Sequence, residues 1–335
     1  MTLFFNGLAH FLVDAISITT LFSAGLTGEM LTIALVLYNT LAFSTQCLVG
    51  LVVDKYGKAM HLDIAAMLAV ILGFALPLPG LARVCIVGLG NSLFHVAGGT
   101  MTLQNSRGRA WKLGVFVAPG ALGVALGTAY PVYGWYRFAA LVLCALGVAY
   151  SWPRTPMTLE LRYEDYPREK LPLVPVLLLT LAVAVRAVGG SAVSFSWKSG
   201  TLAAFILAAF VFAGKAAGGF VCDRLGAGRT ALLSIPLAAV LAVCFPGNMA
   251  LSLLGQFLLN LTMPVTLWLL YEAMPDTPAF AFGLAASALW PGTIAGMLFR
   301  LTGPALWCCI ILSFLFGLGA ILYAEKTLKL KERMG

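Results

Sequence analysis

Seven polar or ionisable residues stand where oil is expected: His10, Asp14, Asn91, His95, Arg186, Gln256 and Asn260, each inside a long apolar run. Such groups are costly near the centre of a bilayer unless they face a cavity or one another, so each is a candidate site residue. Three pairs repeat one spacing: His10 with Asp14, Asn91 with His95, and Gln256 with Asn260, all four residues apart and so on one face of a helix. A carboxylate and a histidine in a partly dehydrated chamber can exchange protons with either side, which makes Asp14 and His95 the proton-coupling candidates. Arg186 offers a fixed guanidinium suited to a phosphonate, phosphate or carboxylate. It either binds such a solute or pairs internally with Asp14.

The elements that must position these residues are membrane-spanning helices. Of 335 residues, 61% are hydrophobic and 10% charged, with mean hydropathy +0.95, against roughly 25% charged in ordinary soluble domains. This excludes a soluble enzyme, a disordered chain and a nucleic-acid-binding domain. Glycine, proline and charge divide the chain into twelve apolar stretches near 3–24, 29–53, 60–80, 82–103, 110–130 and 133–152, then 172–195, 199–222, 229–246, 248–271, 278–300 and 303–324. Each approaches the roughly 20 residues that span a bilayer. At 1.5 Å per residue, Asp14 lies about 16 Å into the first helix, near mid-depth. That stretch lacks a basic leader and holds Asp14, so it is expected to remain as a helix rather than be removed.

The only long charged segment, residues 154 to 170, separates two sets of six. The expected organisation is an N-terminal six-helix bundle (1–153), a cytoplasmic linker (154–171), a C-terminal six-helix bundle (172–325) and a basic cytoplasmic tail (326–335). Assigning alternate loops to one side collects 15 of the 21 Lys and Arg there, which places both termini in the cytoplasm. Short loops favour a prokaryotic inner membrane. The seven cysteines lie almost entirely in apolar stretches without metal-ligand spacing, and no metal or other cofactor is expected.

The halves repeat each other. GLVVDKYGK begins at Gly50 and GFVCDRLGAGR at Gly219, so that Asp54 and Asp223 are 169 residues apart; Pro119-Gly120 and Pro291-Gly292 are 172 apart. A carboxylate at such a helix end can face basic neighbours and the positive N-terminus of a nearby helix.

The repeated loop resembles the G-x-x-x-D-[RK]-x-G-[RK] signature of the major facilitator superfamily, and the resemblance spans essentially the whole chain. It implies two parallel six-helix bundles with a solute site at the midplane between them, lined by the first, fourth, seventh and tenth helices. It also implies a conformational latch, closing the cytoplasmic side, built from Gly50, Asp54, Gly57, Lys58, Gly219, Asp223, Arg224, Gly226 and Arg229. HFLVD at His10–Asp14 and GLGNSLFHVAGG at Gly88–Gly99 are similar to fosmidomycin-resistance-type transporters, with Val96 where that group tends to have proline.

The expected function is secondary active transport of a small organic solute, anionic or zwitterionic, through proton-coupled efflux by alternating access. Uptake by a symporter, uniport or exchange on the same fold is the alternative. A receptor is a more distant reading. An intramembrane enzyme would need an HExxH or GxSxG cluster, and a pump a GxxxxGK[ST] loop; the sequence has none of these. The expected partners are the solute, protons and the lipid bilayer, not nucleic acid, and a monomer is the family-like state. Lys215, one turn before the second loop motif, is expected to snorkel toward the cytoplasm.

Overall fold

The computed structural model describes residues 1–106, 108–131, 134–154, 171–299 and 301–334. All regular structure among them is helical. Twelve helices are numbered α1 to α12 in chain order. In the first half, α1 is Thr2–Ser23, α2 Gly28–Tyr56, α3 Ala59–Ala75, α4 Gly80–Gln104, α5 Trp111–Ala129 and α6 Trp135–Arg154. In the second, α7 is Leu173–Ala192, α8 Gly200–Leu225, α9 Ala227–Cys244, α10 Met249–Ala273, α11 Pro278–Gly296 and α12 Gly303–Met334. Eleven are long and apolar enough to cross a membrane; the twelfth, α3, is apolar and 17 residues long. Their outer surfaces are rich in leucine, with Leu143, Leu202 and Leu233 all well exposed, as expected where the surrounding solvent is lipid.

The expected spans match these helices closely, with one correction at the C-terminus. The stretch assigned to a basic tail continues α12 to Met334. Glu325 and Lys329 pair at 2.8 Å, one turn apart, and the segment EKTLKLKER consists largely of good helix formers. The proposed linker lies almost wholly in residues 155–170, outside the described residues.

Three helices are interrupted. α2 contains a π-turn at Thr40–Ser44, where hydroxyls of Thr40, Ser44 and Thr45 bond back to carbonyls four residues earlier. α5 breaks at Ala118 before Pro119, and α11 at Ala288. Proline removes a backbone donor and bends the helix, which accounts for α5. All three lie where the two halves meet, α2 against α11 and α5 against α8.

Candidate functional site

The two halves are bolted together at one face by a pair of equivalent contacts. The Asp54 carboxylate accepts hydrogen bonds from the backbone N–H groups of Ala279 (2.9 Å) and Phe280 (2.7 Å), at the start of α11. Asp223 accepts from Ala110 (2.7 Å) and Trp111 (3.2 Å), at the start of α5. Every position in one contact is 169 residues from its counterpart in the other, so a local two-fold relates them. The reason is the helix N-terminus: its first N–H groups lack intrahelical acceptors and carry partial positive charge.

The glycines explain how close the backbones come. A Cβ on Gly50 would lie 2.5 Å from the carbonyl oxygen of Ala279, and one on Gly219 2.5 Å from that of Ala110. Gly57, at φ +64°, and Gly226, at φ +86°, turn the chain after each aspartate. The cations of the motif behave differently. The side chains of Lys58, Arg224 and Arg229 are exposed and make no ion pair or hydrogen bond among the described residues, because the carboxylates are already satisfied by backbone. In the second motif Glu325 of α12, which sequence reading passed over, accepts from Gly228 N–H at 3.0 Å.

Asp54→Asn and Asp223→Asn should each weaken this contact. Each removes a charge and turns one acceptor into a donor facing an N–H group. A charge-assisted hydrogen bond contributes about 2 kcal/mol, so the population closed at this face should fall roughly thirty-fold relative to the open one, and further in the double variant. Distances between spin labels at the ends of α2 and α11 on this face would report it.

Above the latch is a cavity of about 350 Å³, within the size range of small-molecule sites. His10, Asp14, Asn91, His95 and Arg186 line it, as expected; Tyr38, Asn39 and Gln46 of α2, Gly120 of α5 and Lys215 of α8 join them. Gln256 and Asn260 are not among the lining residues. Asn260 instead donates its amide to the Gln256 carbonyl at 2.8 Å, and α10 presents Met263 and Leu267 to the cavity. Lys215 does not snorkel away: α8 is 26 residues long and continues ten residues beyond it, which leaves Lys215 at cavity depth.

On the N-terminal side, His10, Asp14, Asn91 and His95 form one cluster. The Asn91 amide donates to Asp14 Oδ1 at 2.8 Å. His10 Nε2 stands 3.4 Å from Asp14 Oδ2, and His95 Nε2 3.8 Å from Asp14 Oδ1. His10 Nδ1 is 2.7 Å from the Phe116 carbonyl oxygen, beside the break in α5, and His95 Nδ1 is 2.8 Å from that of Asn91. Carbonyls only accept, so both Nδ1 atoms carry the hydrogen. That leaves two Nε2 lone pairs facing each other across 2.9 Å. A single proton placed between them would turn this contact into a hydrogen bond. Asp14 lies beside that position with its carboxylate.

The C-terminal side carries two cations, Arg186 and Lys215. Arg186 donates to the Thr262 hydroxyl at 2.9 Å, and Thr262 in turn to the Leu259 carbonyl at 3.0 Å. No ion pair joins Arg186 to Asp14 among the described residues. Lys215 makes no hydrogen bond or ion pair among them. Asp14 and Arg186 are 172 residues apart, and Gln46 and Lys215 are 169 apart: the two repeat offsets, so each cation occupies the place of an anionic or neutral residue in the other half. Packing agrees, since a Cβ on Gly114 would strike the Lys215 carbonyl and one on Gly283 the Gln46 carbonyl.

His10, Asp14 and His95 are also the one group among the described residues whose ligating atoms converge enough to surround a metal ion, within 4.8 Å of one another. Asp63 of α3, absent from the sequence reading, is fully buried outside this cavity, and its carboxylate oxygens have no hydrogen-bond partner.

No protein-family model matches the chain, and no curated protein matches it. Solved structures do. Similar ones include FucP, described as a major facilitator superfamily transporter in the outward conformation, with TM-score 0.68 and 13% identity over 95% of this chain and 98% of that one. A variant of the E. coli fucose:proton symporter FucP gives TM-score 0.64 and 13% identity over 96% and 97%. A bacterial homologue of the iron transporter ferroportin, outward-facing with soaked iron, gives 0.61 and 14% over 98% and 97%. These likenesses establish the fold: an all-helical membrane protein of twelve helices in two six-helix bundles.

Proposed function

We propose that this protein is a secondary transporter that carries a small organic anion together with a proton, by rocking its halves, 1–153 and 172–325, about the central cavity. The observation that carries this reading is the division of charge across one chamber: a histidine pair with room for a single proton beside Asp14, and two unpaired cations, Arg186 and Lys215, on the other half. Arg186 and Lys215 hold the anion; His10, Asp14 and His95, ordered by Asn91, hold the proton. Asp54 and Asp223, with Gly50 and Gly219, close one face while the cavity loads from the other. The charge count of the loops supports a cytoplasmic position for that closed face, and their shortness a prokaryotic inner membrane.

The charges favour co-transport over the proton-coupled efflux expected from sequence. A proton and an anion sharing a low-dielectric cavity attract, so each promotes binding of the other; exchange requires them to compete. Transport in the same direction, as in the proton symporter of the same fold, follows from that cooperation. Gln256 and Asn260 have a packing role between α10 and α8 in this reading.

A thermal-shift screen of small carboxylates, phosphates and phosphonates on purified protein tests it, since a ligand stabilises the state that binds it. The expected result is a stabilising anion whose effect is stronger at acid pH and lost in Arg186→Gln. Stabilisation only by cations or neutral sugars, equal in the variant, would overturn the reading.

A further inference from the structure

A second chamber, about 720 Å³, opens on the latch face of the N-terminal half, between the ends of α1, α4, α5 and α6. It belongs to one bundle and is separate from the central cavity. Among the described residues three cations line it, Arg109, Lys112 and Arg154, and no carboxylate does. Lys112 is held by the carbonyl and side-chain oxygens of Asn105 and lies over the Trp111 ring. Arg154 donates to the Tyr150 carbonyl at 2.6 Å with its guanidinium 4.1 Å from the centre of the Tyr150 ring. The Arg109 side chain is exposed and makes no hydrogen bond or ion pair among the described residues. In the wall, Ser106 is 1% exposed and its hydroxyl has no hydrogen-bond partner. Clustered guanidinium and ammonium groups beside a spare hydroxyl suit phosphate oxygens.

The mouth of the chamber indicates what carries the phosphate. Tyr150, 58% exposed, continues a stripe on α6 with Leu146 and Leu143, 61% and 65% exposed, at the spacing of one helix face. A leucine stripe ending in tyrosine marks the level where acyl chains give way to headgroups. The chamber therefore sits at the membrane surface, with apolar helix immediately beside it.

It also touches the latch. Trp111 lines the chamber, gives its N–H to Asp223, and stacks on Phe220 at 5.4 Å. A ligand held by Arg109 and Lys112 fixes the segment that presents both N–H donors to Asp223.

We propose that this chamber binds the phosphoryl headgroup of an anionic phospholipid, and that the bound lipid favours the state in which the latch is closed. The proposal is independent of what the central cavity transports. The test is lipid binding to the purified full-length protein, by native mass spectrometry and thermal shift, with phosphatidylglycerol, phosphatidylcholine and inorganic phosphate as separate probes. Phosphatidylglycerol should bind at least ten-fold more tightly than phosphatidylcholine, and the preference should vanish in Arg109→Gln/Arg154→Gln, two exposed sites whose replacement leaves the lipid-free melting temperature unchanged. Spin-label distances across the latch should shift toward the closed state with phosphatidylglycerol only. Equal binding of the two lipids, or a preference that survives in the variant, would overturn the assignment. So would inorganic phosphate that abolishes the preference at millimolar concentration, which would identify a soluble phosphate as the occupant.

Discussion

Arg186→Gln is expected to lower affinity for the anionic solute by about a hundred-fold or more, with transport at sub-saturating solute falling in proportion. Truncating one partner of a buried, hydrogen-bonded charge pair costs about 2–5 kcal/mol, and 1.4 kcal/mol is a factor of ten. Arg186 is already oriented by Thr262, so little rearrangement is needed to present the rest of its planar fork. Arg186→Lys keeps the charge but loses both the fork and the Thr262 geometry, and should lose about ten-fold. Lys215→Gln should fall between them, because an unpaired ammonium acts as a point charge without fixed direction. Binding measured by calorimetry with the best anion from the screen, together with flux into proteoliposomes, checks all three. Unchanged affinity in Arg186→Gln would remove the anion site from this cavity.

Asp14→Asn should uncouple transport from the proton gradient. With one proton per solute and no net charge moved, a pH difference of one unit supports about a ten-fold accumulation, since one pH unit is worth about 1.4 kcal/mol. In Asp14→Asn that ratio should drop to about one, while solute-for-solute exchange without a gradient continues. His95→Gln makes the finer test. A glutamine amide can donate to the His10 Nε2 lone pair without a titrating proton, so exchange in this variant should lose its pH dependence. In the unmodified protein the shared proton leaves as pH rises, so transport should decline toward alkaline pH. The groups facing that proton are Asp14 and Asn91 within the cluster, and Tyr38, Gln46, Arg186 and Lys215 across the cavity. Accumulation that persists in Asp14→Asn would place the coupling proton elsewhere.

Much of the architecture was legible because lipid is an unforgiving solvent. A span must be apolar for about 20 residues, so the helices and their charged connections are visible without tertiary knowledge, and a polar residue within one is conspicuous. His10 with Asp14 and Asn91 with His95 were legible as helix faces for that reason. Their meeting was less so, because it depends on the Phe116 carbonyl and the bend before Pro119, and backbone acceptors leave no mark in side-chain identity. Lys215 was misplaced since its distance from the loop motif looked short enough to snorkel. Gln256 and Asn260 share the spacing of the pairs that line the cavity, yet asparagine can bond its own helix four residues back, and here it does. Gln46 and Tyr38 escaped notice because the π-turn in α2 shifts which face reaches the cavity. The opposition of Asp14 and Arg186 was present in the repeat offset all along; what spacing alone does not convey is that the two halves bring those positions to one chamber.

The most direct test of the central claim is the number of protons taken up when the anion binds, from calorimetry in buffers of different ionisation enthalpy. Near the pH at which the histidine pair is half-occupied, the wild-type protein should take up a measurable fraction of one proton per anion, and His95→Gln should take up none. Anion binding with no proton uptake at any pH, or with the same uptake in His95→Gln, would contradict the account.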